Sequence, residues 1–108
     1  MKLAGKRAVV VGGGSGSLGV ARDLAPYGIR CMAITPSLFE TGLIAGMHDE
    51  DRARLVSEAV FPRRPGRPEE FAQLVRTIVE NPMLNGGTIR LDAGTRCAVA
   101  DNLDDTVF

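Results

Sequence analysis

The sequence predicts an α/β fold: a parallel sheet of about three strands flanked by helices. Two observations carry this. Arg7–Val11 (RAVVV) and Ile29–Thr35 (IRCMAIT) are short apolar runs stopped by glycine or proline, as buried parallel strands are. Segments with apolar residues at helical spacing lie between and after them, so strand and helix alternate as in layered α/β sheets.

The elements follow in order. Arg7–Val11 is the first strand, and Gly12–Gly16 (GGGSG) is a turn that no regular structure accommodates. Ser17–Tyr27 places Leu18, Ala21, Leu24 and Ala25 on one helical face, with Gly28 as the C-terminal stop. Ile29–Thr35 is the second strand, ended by Pro36. A loop with a short helix covers Leu38–Met47, and a more polar helix covers Asp49–Ala59. Phe61–Pro68 (FPRRPGRP) is an extended connection. Pro68 suits the first position of a helix, and Glu69 and Glu70 suit its first turn. Phe71, Leu74, Val75, Ile78 and Val79 form that helix's apolar stripe, and Asn81-Pro82 breaks it. Thr88–Asp92 (TIRLD) is a last short strand. Residues 1–96 thus make one domain, and 97–108 an acidic C-terminal tail expected to fray.

Composition narrows the function classes. The chain has 108 residues, 44% hydrophobic and 24% charged, ordinary for a globular protein. Its 13 basic and 13 acidic residues cancel, which argues against nucleic-acid and anionic-membrane partners. Cys31 reads as a small buried hydrophobe and Cys97 lies near the polar tail, so the two cysteines make no disulfide framework. With His48 they are too few for a metal site. The apolar run after Lys2, Lys6 and Arg7 is too short for a signal-peptide core, so a cytoplasmic location is the expectation.

Gly14, Gly16 and Gly19 satisfy G-x-G-x-x-G between a strand and a helix. In that setting glycines allow a tight turn, and the helix N-terminus attracts a pyrophosphate. Glu40 is the nearest acid at the distance expected of a ribose ligand, but it reads better as an exposed loop carboxylate. His48 reads as an exposed helix-start residue. Arg63, Arg64 and Arg67 fit an exposed arginine loop as well as a phosphate contact.

The same turn resembles the T-G-x-x-x-G-x-G of the short-chain dehydrogenase/reductase family. Gly12 and Gly16 match its first two glycines; Val11 stands for the threonine, and Leu18 for the third glycine, with Gly19 one residue late. The longer resemblance runs from Ala21 to Arg96. Ala21–Arg30 (ARDLAPYGIR) resembles the helix and turn that follow the catalytic tyrosine and lysine. Ile34–Thr41 (ITPSLFET) resembles the P-G-x-x-x-T loop that holds the nicotinamide, with Ser37 in place of glycine. Phe61–Arg64, Gly66–Glu70, Asn81–Gly86 and Ile89–Gly94 continue it. Within the family these runs look most like the type-2 3-hydroxyacyl-CoA dehydrogenases, which use NAD on acyl-CoA or steroid alcohols.

The resemblance implies a truncated Rossmann-like sheet and an NAD or NADP cofactor contacted by Gly12, Gly14, Ser15, Gly16, Gly19, Pro36, Leu38 and Thr41. It implies no metal. The family's chemistry uses a tyrosine, a lysine four residues later that lowers its pKa, and a serine. Here Tyr27 is the sole tyrosine, Cys31 stands four residues on, and Lys2 and Lys6 precede the turn. No Asn-Asn-Ala-Gly run exists. The chain therefore reads as an internally deleted family member without catalytic residues.

Three readings stay open: an inactive relic with residual dinucleotide contacts, an association module pairing copies through 68–80 and 88–92, or a splice or gene-assignment artefact. Ser17–Tyr27 is expected to cross over in right-handed fashion, placing Ile29–Thr35 between the other two strands.

Overall fold

The computed structural model describes residues 5, 7–12 and 16–95, and the acidic tail lies outside them. The element order is β1 (Ala8–Gly12), α1 (Ser17–Leu24), β2 (Arg30–Pro36), α2 (Gly42–Ala45), α3 (Asp49–Ser57), α4 (Pro68–Glu80) and β3 (Thr88–Leu91). The strands form one parallel sheet in the order β1-β2-β3, with the second strand central as expected. Val10 lies opposite Met32, and Ile34 opposite Ile89, which sets the register of both pairings.

Local chemistry explains the boundaries. Pro26 has no N–H to continue the helical ladder, so α1 tightens into a 3₁₀ turn over Ala25–Tyr27. Gly28 then adopts φ 70°, and its N–H donates to the Ala25 carbonyl at 2.9 Å. β2 runs one residue past the expected end at Thr35: Pro36 is its last residue, and the pairing with β1 has already stopped at Ile34, so its missing N–H breaks no ladder bond. The loop with a short helix expected over Leu38–Met47 is found, the helix spanning Gly42–Ala45 and leaving residues 38–40 outside it. Phe39 instead makes a parallel bridge with Gly66, which holds the loop extended.

Alternation along β2 builds two layers. Met32 and Ile34 face α4 and cluster with Ile78, against which Val10, Phe71, Leu74, Val75, Leu84, Ile89 and Leu91 pack. Cys31 and Ala33 face the other way, under α1, and are equally buried. The apolar stripe of α4 is thus the expected one. That of α1 is not: Ser17 and Ala21 are its buried residues, and Leu18 is half exposed. The Ser17 hydroxyl donates to the carbonyls of Gly86 and Gly87, at 3.3 and 3.1 Å, and so a polar residue takes the inward position.

The strand order advances in one direction while α1 and α4 lie on opposite faces. The two crossovers consequently have opposite hands, and one departs from the right-handed rule.

Arg30 joins these layers. Its Nη1 donates to the carbonyls of Ile78 (2.8 Å) and Leu84 (2.9 Å), and its Nη2 to that of Val79 (2.8 Å). The guanidinium therefore caps the C-terminal carbonyls of α4, which have no intrahelical partners, and complements the helix dipole. The next residue continues the attachment. The Cys31 N–H donates to Asn85 Oδ1 at 2.9 Å, and the Gly86 N–H to the Cys31 carbonyl at 2.7 Å.

At its other end, α4 is held by Glu70. The carboxylate accepts both Arg64 guanidinium nitrogens, at 2.7 and 2.9 Å, and the Arg67 backbone N–H at 2.8 Å. The Arg64 hydrogen bonds, followed by the Arg67 N–H, draw the Glu70 carboxyl down from 4.5 to about 2.

Two outcomes are expected. Arg30→Met leaves three carbonyls unpaired and should cost roughly 2–3 kcal/mol, with Arg30→Lys intermediate because an ammonium lacks the fork. Thermal unfolding followed by circular dichroism reads this, and an unchanged midpoint for Arg30→Met refutes the capping role. Because the folded Glu70 pKa is depressed, its contribution is complete above about pH 4.5. It is lost as pH falls toward 2. Glu70→Gln should flatten that acid limb of midpoint against pH, and less so in high salt, since both side chains are more than one-third exposed.

Candidate functional site

In a parallel sheet all strands end on one edge, and ligands bind in the crevice beyond it. β1 ends at Gly12 and β2 at Pro36, with Gly12 in register with Ile34. Gly12 and the start of the Pro36–Thr41 loop, far apart in sequence, therefore lie at the same edge.

On the β1 side, Gly16 precedes α1 with φ 105°, a conformation that side chains rarely adopt. Among the described residues no side chain caps α1, whose N-cap is Gly16, and the Ser17 hydroxyl is turned to Gly86 and Gly87. The helix's first N–H groups are consequently left for an anion. Gly14 and Ser15 lie outside the described residues. Gly19 is exposed within α1, and a Cβ added there meets nothing within 4 Å, so no close approach requires this glycine. Gly12 likewise has open space around it.

On the β2 side, Pro36, Leu38 and Thr41 line one open, largely apolar groove of about 520 Å³. Ser37, Phe39, Ile44, Pro68 and Phe71 complete it. Phe39 and Phe71 meet edge to face with centroids 5.9 Å apart, and an added Cβ at Gly66 would fall 2.5 Å from the Phe39 ring. Phe39, Ile44 and Phe71 were not among the expected site residues. Their signal was an apolar position beside the loop or on the α4 stripe, which reads equally as core. The Thr35 hydroxyl, one residue before the loop, is buried without a hydrogen-bond partner among the described residues. These groups fit one part of a dinucleotide: an anion-ready helix start, a spare hydroxyl and an apolar groove.

The tempting residues lie elsewhere. Tyr27 is exposed beyond the start of β2, and the seven residues of that strand separate it from the Pro36 loop by about 20 Å. Cys31 is fully buried. Glu40 is exposed and pairs with Arg52 of α3 at 3.0 Å. His48 stands before α3 without capping it. Arg64 is engaged by Glu70, and Arg63 and Arg67 are exposed. Among the described residues no cluster of metal-binding side chains occurs, and no helix is long and apolar enough to cross a membrane.

Comparison with known proteins agrees with this geometry. Residues 17–96 match the family described as enoyl-(acyl carrier protein) reductase. The type-2 3-hydroxyacyl-CoA dehydrogenases of Mus musculus and Homo sapiens are 51% and 50% identical over 80 residues, 74% of this chain. Ipsdienol dehydrogenase of Ips pini is 38% identical over 82 residues, covering 74% of this chain and 32% of its own. In fold, the chain is similar to the crystal structure of 3-hydroxyacyl-CoA dehydrogenase type-2 from Mycobacterium avium. The TM-score is 0.78 at 24% identity, over 90% of this chain and 48% of that one. The chain spans 31% of the length of the mouse and human relatives. The match over residues 17–96 and the identity to these relatives show that the chain belongs to the short-chain dehydrogenase/reductase family.

Proposed function

We propose that this chain is a relic of an NAD-dependent 3-hydroxyacyl-CoA dehydrogenase, retaining part of the dinucleotide surface and performing no hydride transfer. One observation carries the reading. Gly12 at the end of β1 and Pro36 at the end of β2, which lead into the two candidate cofactor segments, lie at the carboxyl edge of the sheet, whereas Tyr27 stands at the opposite edge.

A general acid must lie within hydrogen-bond reach of the proton it transfers. Across about 20 Å, Tyr27 has no such reach to a nicotinamide held by Pro36, Leu38 and Thr41. Nor does Cys31 replace a lysine, for a thiol cannot carry an ammonium's positive charge, and this one is buried. The cofactor's adenosine half would normally be selected by an acid after a second strand that this sequence lacks. NAD and NADP are therefore expected to bind with similar, weak affinity.

Two measurements test the proposal. The chain has no tryptophan, so NADH emission itself can report binding. Weak, saturable enhancement is expected, and Gly16→Ala should reduce it several-fold by straining the turn. Complete absence of binding would remove the residual-contact part. With acetoacetyl-CoA and NADH, absorbance at the nicotinamide band should not decline beyond background. Turnover abolished by Tyr27→Phe would overturn the inactive reading.

A further inference from the structure

We infer that the free edge of β1 pairs two copies of this chain, antiparallel, about a two-fold axis at Val10. Among the described residues β1 is an outer strand of the sheet, with no neighbour beyond it. The Arg30 N–H donates to the Arg7 carbonyl. In a parallel ladder alternate residues point both backbone groups to the same side, so Arg7, Val9 and Val11 bond inward to β2. Ala8, Val10 and Gly12 direct their N–H and C=O groups outward.

That outward set is symmetric about Val10. Placing a second β1 alongside in antiparallel sense makes Val10 face Val10, and Ala8 face Gly12 at both ends. Each of these is the hydrogen-bonded type of antiparallel pair, which exchanges two bonds. Every outward group of both copies is thereby used. The contact is isologous, as a closed dimer requires.

The flanks favour the same occupant. Val9 is 41% exposed, and Val20 of α1 is 44% exposed. Leu18 leans toward Gly86, next to β3, so Val20 lies on the other side of the buried Ser17–Ala21 stripe, away from β3. Ala8–Gly12 contains no charge, proline or bulge, the usual protections of an exposed edge. The other outer strand is protected: β3 carries Arg90, paired at 2.9 Å with Asp92 just beyond it. The chain's formal charge is zero, so two copies do not repel. A five-residue strand makes a small contact, and the association is weak and concentration-dependent. It does not rest on dinucleotide binding.

Sedimentation velocity from low micromolar to near-millimolar concentration should show reversible dimerisation. Ala8→Pro removes one outward donor per copy at the first residue of the strand, where proline is tolerated, and leaves the β2 ladder intact. It should weaken dimerisation roughly tenfold or more. Val9→Lys, which places a charge on the exposed flank, serves if the proline variant does not fold, as judged by circular dichroism. Hydrogen exchange by NMR adds the register. Amides of Ala8, Val10 and Gly12 should gain protection with concentration, while those of Val9 and Val11 stay unchanged. A monomer at every concentration overturns the proposal. So does association undiminished by Ala8→Pro or Val9→Lys, or protection gained on α4 and β3 instead.

Discussion

One guanidinium organises the fold. Arg30 stands at the first position of the central strand and donates to three carbonyls, two at the end of α4 and one in the segment that follows. Helix ends carry unpaired carbonyls by construction, and a buried carbonyl without a donor costs more than an ordinary hydrogen bond contributes. Arg30 meets that cost at the point where α4 must turn back to become β3. Its fork shape matters as much as its charge, since three acceptors in different directions need separate N–H groups. With Asn85, Gly86 and the Ser17 hydroxyl, it fastens residues 81–87 to both β2 and α1. The packing of Ile78 on Met32 and Ile34 depends on this attachment.

The site inherits its geometry from the sheet. Parallel pairing brings the end of β1 and the end of β2 to one edge, whatever lies between them in sequence. That alone joins an anion-ready helix start to an apolar groove. The same rule separates Tyr27 from them, because a residue that precedes a strand sits at the edge where the strand begins. Tyr27 therefore stands a full strand length from the Pro36–Thr41 loop. Position along the strand decides the matter, rather than residue type.

A three-stranded sheet has two outer edges for one interior strand. β3 meets that exposure with an arginine–aspartate pair, half-buried against the turn at Asp92. β1 has only small and β-branched residues. The run of valines that makes β1 a good buried strand is the same feature that makes it a self-complementary edge.

Much of this was legible in sequence. The apolar runs, Pro68 at a helix start, the α4 stripe and the stop at Gly28 follow from backbone stereochemistry and side-chain period, which act locally, and so do the three strands and their order. So does the candidate turn at Gly16, whose positive φ favours glycine. What local rules could not supply was any choice among distant partners. Ser17 displaces Leu18 from the buried face because two carbonyls seventy residues away accept its hydroxyl. Phe39 extends a loop that would otherwise coil, because Gly66 lies across from it. Arg30 is one arginine among many until α4 ends beside it. The sequence by itself determined which segments are strands and helices. Only the tertiary structure decided where Tyr27 stands and which backbone edge is left open, because both depend on how parallel strands align across the sheet.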